Sequence, residues 1–180
     1  ILLAELAQML AHEDGSRTGA DIEDVHDMRV AIRRMRSTIR LLRPYLKRKP
    51  LRAFSRRLRD LGRVLGEVRD LDVMIEQMGQ YQATLDDETK ISLQPALDEL
   101  HRRREAAREE LNDYLDSKTY HRFVKEFGGW LLQPTPEPKF DGVVVPYLVQ
   151  HVLPMLVYDR LAAVRAYDTV IETADTPTLH

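Results

Sequence analysis

Seven basic residues recur along one stretch at intervals of three and four: His26, Arg29, Arg33, Arg36, Arg40, Arg43 and Lys47, with no acid on that line. Residues so spaced are neighbours on one face of a helix. Arginine carries a permanent charge and a planar fork of donors, so an unbroken arginine line suits charge-assisted hydrogen bonding to phosphate oxygens. At about 1.5 Å per residue the line from His26 to Lys47 is about 32 Å long, the reach of an extended anion rather than of one nucleotide. Like charges at this spacing cost about 0.2–0.5 kcal/mol per pair, or about 1–2.5 kcal/mol for the five pairs from Arg29 to Lys47. A solvated face normally intersperses acids, so the pattern points to an external polyanion.

Nearby residues carry weaker signals. Arg52, Arg56, Arg59 and Arg63 repeat the spacing on a more outward face of the following helix, with Arg69 nearer its apolar seam. A metal at His26 would need further ligands at helical spacing, and only Glu23 qualifies, so no metal site is expected. His26 reads instead as a hydrogen-bond donor in the anion line or a packed residue steadying Arg29. Asp72 falls on the apolar line of its helix and reads as a semi-buried carboxylate that positions an arginine of the preceding helix. Asp70 beside it lacks a second carboxylate at an acid–base spacing. Gly62 and Gly66 read as points of close helix approach. Tyr158, Arg160 and Arg165 are further candidates to face the anion, whereas His12, His101, His121 and His151 share no motif and read as surface or core filler.

These residues must be positioned by helices. No segment alternates like a strand, so the fold class is all-α, with short connections implying an antiparallel helical bundle. Helix one covers about Ile1 to His12 and ends before a Glu13-Asp14-Gly15-Ser16 turn. Helix two starts at the cap Asp21, with Glu23 and Asp24 in its first turn, and runs to about Lys47 with a kink at Pro44. Its core face is Val25, Met28, Ile32, Met35, Ile39, Leu42 and Leu46, one residue from the basic line throughout. A Lys49-Pro50 turn leads to helix three, from Leu51 to about Leu85, with Leu51, Phe54, Leu58, Leu61, Leu65, Val68 and Ile75 inward. Helix four, Asp87 to Asp116, mixes both charge signs as a solvated face does. Ser117 caps a fifth helix whose Tyr120, Phe123, Phe127 and Trp130 form a core stripe. A proline-rich connection, residues 133–142, precedes a last helix from near Pro146, perturbed at Pro154, to about Thr173. Residues 1–180 read as one helical domain.

Composition narrows the function classes. The chain of 180 residues is 43% hydrophobic and 31% charged, long enough for one sizeable core or two small ones, and is neither disordered nor collagenous. It has no Cys, which excludes disulfide frameworks, thiolate metal sites and cysteine nucleophiles. No apolar run approaches the roughly 18 residues of a membrane span. Ile1 to Leu10 carries Glu5 and lacks a basic lead-in, so it reads as an amphipathic helix rather than a signal peptide. The absence of an initiator Met reads as a fragment. The formal net charge of -2 hides a strong polarity: His26 to Asp70 holds 15 Lys+Arg against 4 Asp+Glu, and the rest of the chain 12 against 25.

The run Val25-His26-Asp27-Met28-Arg29-Val30-Ala31-Ile32-Arg33-Arg34-Met35-Arg36 resembles the signature of the CHAD family, the conserved-histidine α-helical domains. Leu61-Gly62-Arg63-Val64-Leu65-Gly66-Glu67-Val68-Arg69-Asp70-Leu71-Asp72-Val73 is similar to that family's next motif, at the expected separation. The resemblance covers the whole chain and implies two pseudo-symmetric helical halves, of which this chain holds the first and part of the second, stopping as a second histidine motif would begin at Leu179-His180. It also implies a basic channel between the halves that binds inorganic polyphosphate without chemistry or cofactor of its own. Carried over by position, the matching residues are His26, Arg29, Arg33, Arg34 and Arg36. Periodicity adds Arg40, Arg43 and Lys47, and the next helix adds Arg59, Arg63 and Arg69.

The expected function is thus a non-catalytic polyphosphate-binding module, and the expected location is the cytoplasm, including polyphosphate granules. The rival readings are a general polyanion or single-stranded nucleic-acid binder, which would add exposed aromatics where the basic segment has only Tyr45 and Phe54; an enzyme with an acidic metal cluster beside the track; and a structural line neutralised by helix four. The resemblance further implies fusion to, or association with, a triphosphate tunnel metalloenzyme domain. A second copy of the chain supplying the opposite wall is a further expectation.

Overall fold

The structure, a computed structural model, describes residues 1–43, 48–133, 149–168 and 171. Among these residues there are seven helices and no strand: α1 Leu2–Ala11, α2 Glu13–Thr18, α3 Ile22–Leu42, α4 Arg48–Gln82, α5 Asp87–Asp116, α6 Lys118–Leu131 and α7 Val149–Arg165. The all-α expectation holds. The chain divides into two compact units, Ile1–Gln133 with α1 to α6 and Pro134–His180 with α7.

Side-chain caps set the helix starts by satisfying amides that lack an intrahelical partner. Asp21 accepts from the Glu23 amide at 2.9 Å, Asp86 from that of Thr89 at 2.9 Å, and the Ser117 hydroxyl from that of Tyr120 at 3.1 Å. Some boundaries differ from expectation. The Glu13-Asp14-Gly15-Ser16 stretch is the first turn of α2 rather than a turn between helices: acids sit at its positive end, and Arg17 reaches back to Glu13 at 3.0 Å. Gly19 ends α2 at φ 65°, a left-handed conformation, and a Cβ there would also run into Arg108. Helix α4 begins at Arg48, not after a Lys49-Pro50 turn, because a proline in a first helical turn lacks only an amide that has no partner there. Helix α3 ends at Leu42 and α7 at Arg165, short of Lys47 and Thr173. The expected kink at Pro44 and helix start at Pro146 lie outside the described residues, as does the proline-rich connection beyond Gln133.

Neighbouring helices of the first unit run antiparallel. Along α4 and α5, Arg57 meets Tyr114, Asp72 meets Arg104 and Gln82 meets Lys90, one number falling as the other rises. The same holds for α1 with α3 (Glu5 with Arg34, His12 with Asp24) and for α3 with α4 (Glu23 with Arg69, Arg36 beside Gly62). The predicted apolar line of α3 is its buried face, Val25, Met28, Ile32, Met35 and Ile39, while Leu42 is half-buried and Leu46 lies outside the described residues. It shares one core with Leu51, Phe54, Leu58, Leu61, Leu65 and Val68 of α4. The aromatic stripe of α6 closes over Phe54, whose ring centre is 4.9 Å from Phe127 and 5.6 Å from Trp130.

Polar contacts fasten the outer helices. The Tyr120 hydroxyl donates to Glu13 at 2.5 Å, burial holds that phenol in its neutral form by pushing its pKa up, and Arg17 bridges Glu13 to Asp116. His12 is no filler: its Nδ1 lies 2.8 Å from an Asp24 oxygen, tying the end of α1 to α3. Asp72 is buried as expected, but its partner is Arg104 of α5 at 2.5 Å, not an arginine of α3. The antiparallel register places the acidic first turn of α3 near this part of α4, as the Glu23–Arg69 pair shows, so the cation must come from α5.

Truncating Phe54 removes the centre of the aromatic packing. Phe54→Ala is expected to lower unfolding free energy by about 3–5 kcal/mol, read as a reduced urea midpoint at unchanged slope.

Candidate anion-binding groove

Burying the apolar face of α3 turns the basic line, one residue or about 100° round the helix, toward the edge it shares with α4. Two depressions result. The smaller, about 170 Å³, is lined by His26, Arg29, Val30, Ile32, Arg33, Arg36 and Gly62. The larger, about 580 Å³, is lined by Arg36, Ile39, Arg40, Arg43, Leu51, Arg52, Ser55 and Arg59. They share Arg36, so together they follow α3 from His26 to Arg43, a run of about 26 Å at the helical rise.

Helix α4 supplies the second wall through Arg52, Ser55, Arg59 and Gly62, again spaced by three and four. Its glycines act differently from expectation. A Cβ at Gly62 would lie 3.5 Å from Ile32 and 3.6 Å from Arg36, and one at Gly66 3.8 Å from Arg29, all ordinary contacts. Close helix approach therefore does not require glycine at either position. Their bare backbone leaves room for the guanidinium groups of Arg29 and Arg36 against α4.

The lining is poor in counter-charge. Among the described residues no carboxylate lies within 4 Å of Arg33, Arg36, Arg40, Arg43, Arg52 or Arg59, and Arg29 has only Asp70, at 3.9 Å. Several acids of α5 are engaged elsewhere. Glu99 accepts from Arg102 and Arg103, hydrogen bonds that hold its carboxyl down at a pKa of about 2; Glu105 pairs with Arg104 and Arg108, and Glu110 with Arg63. The four like-charge pairs along α3, from Arg29 to Arg43, thus cost about 1–2 kcal/mol until an anion arrives.

Of the predicted residues, the groove gathers His26, Arg29, Arg33, Arg36, Arg40, Arg43 and Arg59. It does not gather Arg34, Arg63 or Arg69. Arg34 lies on the flank toward α1, 3.8 Å from Glu5; Arg63 turns to Glu67 and Glu110; Arg69, only 13% exposed, faces Glu23 at 3.5 Å. Lys47 lies outside the described residues. Arg52 and Ser55 line the groove although the candidate set omits them; the signal was the seven-residue interval from Arg52 to Arg59, which returns a helix to the same side. Tyr158, Arg160 and Arg165 are exposed positions of α7 in the second unit. No described aromatic lines the groove: Phe54 is core, and Tyr45 lies outside the described residues. Among the described residues no three His, Cys, Asp or Glu cluster as a metal site, and no helix is long and apolar enough to cross a membrane.

Because a methyl group at Gly66 meets no hard obstacle, Gly66→Ala is expected to stabilise the protein by up to about 1 kcal/mol through helix propensity, measured as a raised urea midpoint. The sequence matches no curated protein. It matches the CHAD domain family over residues 1–180, and the chain belongs to that family. CHAD is a polyphosphate-associated, binding-type domain rather than a known catalytic one.

Proposed function

We propose that this CHAD-domain chain binds inorganic polyphosphate along the α3–α4 groove and carries out no chemistry on it. The observation that supports this most is the weakly compensated arginine lining: seven guanidinium groups from two helices line one groove, and six of them have no carboxylate within 4 Å among the described residues. Each phosphate of the polymer offers charged oxygens to a planar donor fork, and each contact displaces counterions from the arginine row. Binding therefore weakens as salt screens the charges. His26 at the narrow end donates a hydrogen bond or steadies Arg29.

A nucleic-acid reading shares the phosphate contacts but lacks aromatic platforms for the bases, since no described aromatic lines the groove. Hydrolysis or phosphoryl transfer would call for carboxylates in the groove, and its described lining contains none.

Calorimetric titration with long-chain polyphosphate, single-stranded RNA and ATP, at low and physiological salt, separates these readings. Tight, salt-sensitive binding of polyphosphate alone is expected; equal binding of RNA would reduce the groove to a general polyanion site. Reversing two central charges with Arg33→Glu and Arg36→Glu should weaken polyphosphate binding by at least about a hundredfold, two charge-assisted contacts each being worth about tenfold or more, with the far-ultraviolet helical signal retained. Unchanged affinity in that variant would reject the groove. His26→Ala should weaken binding only a few-fold, about one neutral hydrogen bond's worth.

A further inference from the structure

The two ends of the groove differ in width, in charge and in the number of cationic walls. At the narrow end every cationic side chain comes from α3, namely His26, Arg29, Arg33 and the shared Arg36, and the facing position of α4 is Gly62. Acids stand close by: Asp70 lies 3.9 Å from Arg29, and Glu23 of the same helical turn as His26 holds Arg69 at 3.5 Å. At the wide end Arg36, Arg40 and Arg43 of α3 share the cavity with Arg52 and Arg59 of α4, so an anion there meets guanidinium groups from two helices. No described carboxylate lies within 4 Å of any of these five.

Size points the same way. Small-molecule sites span about 300–1,000 Å³. The wide end, at about 580 Å³, falls inside that range, and the narrow end, at about 170 Å³, falls below it. A cleft lined by one sign of charge also focuses the field of its charges, which raises the local concentration of a counter-ion. Both effects favour the wide end, and the acids near Arg29 subtract from the other.

We infer that the wide end is the anchoring subsite of the groove, able to hold a short inorganic oligophosphate on its own, and that the narrow end adds contacts only to chains long enough to extend past Arg36. The inference rests on the polyphosphate reading and gives it a direction: one part of the polymer seats among the five arginines, and the rest runs along α3 toward His26. The ligand of the subsite is a free oligophosphate rather than a nucleoside triphosphate, because the described lining offers a base no aromatic ring to stack on, and guanidinium groups engaged with phosphate oxygens are not free to stack.

The test is calorimetry on the full chain with tripolyphosphate, ATP and long-chain polyphosphate at one low ionic strength. It compares the unsubstituted protein with two double variants, Arg52→Ala with Arg59→Ala and Arg29→Ala with Arg33→Ala, after circular dichroism shows that both retain their helices. Tripolyphosphate is expected to bind, and ATP to bind no more tightly. Loss of Arg52 and Arg59 should weaken tripolyphosphate and the long polymer alike, by at least about tenfold. Loss of Arg29 and Arg33 should weaken the long polymer several-fold more than tripolyphosphate. Equal weakening of tripolyphosphate by the two variants overturns the inference, as does tighter binding of ATP, or failure of tripolyphosphate to bind while the polymer binds; in that last case the polyphosphate reading itself stands. Failure of the long polymer to bind removes the polyphosphate reading, and the tripolyphosphate titrations then decide the subsite by themselves.

Discussion

The apolar seam between α3 and α4 aims every charge in the groove. Met28, Ile32 and Met35 are buried against Leu58, Leu61 and Leu65, and each such side chain contributes about 1.5–3 kcal/mol by leaving water. The backbone positions of the arginines one residue along turn with the helix and have no setting of their own. Once the seam is buried, they stand at its border with α4, whatever their mutual repulsion. A cost of about 1–2 kcal/mol for like charges is small against the sum of those burials, so the hydrophobic term wins and the charges stay in a row.

That row persists because the fold keeps its acids away from it. The chain as a whole is nearly neutral, with 27 basic and 29 acidic residues, yet the acids that balance the arginines are committed to other partners. The Asp72–Arg104 pair holds α5 on the flank of α4 away from the groove, and Glu99, Glu105 and Glu110 find arginines within α5 or at Arg63. The exposed pairs among these, those of Glu99, Glu105 and Glu110, contribute little to stability. Their consequence is electrostatic: acids that already have cations close at hand do not screen the groove, and its positive field is left for a mobile anion.

The remaining helices serve the two that carry the site. Helix α6 packs its aromatic rings over Phe54, the residue next to Ser55 of the larger cavity's lining, and α1 covers the far side of α3 with Leu6 and Met9. Ser117 alone joins α5 to α6, and Gly19 turns the chain between α2 and α3, so the scaffold closes with short links. A groove whose walls are two long helices backed by one continuous core presents its donors at fixed spacing, which suits a ligand that is itself a repeat.

The helices other than α2, the caps Asp21 and Ser117 and the basic line of α3 were legible in the sequence, because each depends on interactions within one turn: Asp21 and Ser117 bond amides two or three residues on, and apolar and basic residues sort by position around a single axis. Membership of the CHAD family was legible for the same reason, since its motifs are local runs on α3 and α4. The seam residues of α4 could be read in this way too. What periodicity cannot supply is the rotation and register of one helix against the next. Arg52 and Arg59 face the groove while Arg63 turns to Glu110, Arg34 and Arg69 are diverted to Glu5 and Glu23, and Asp72 takes Arg104. Ion pairs form over a few ångströms between residues up to 99 positions apart, so only the packed core, by fixing the distances between helices, decides which charges meet and which remain for a ligand.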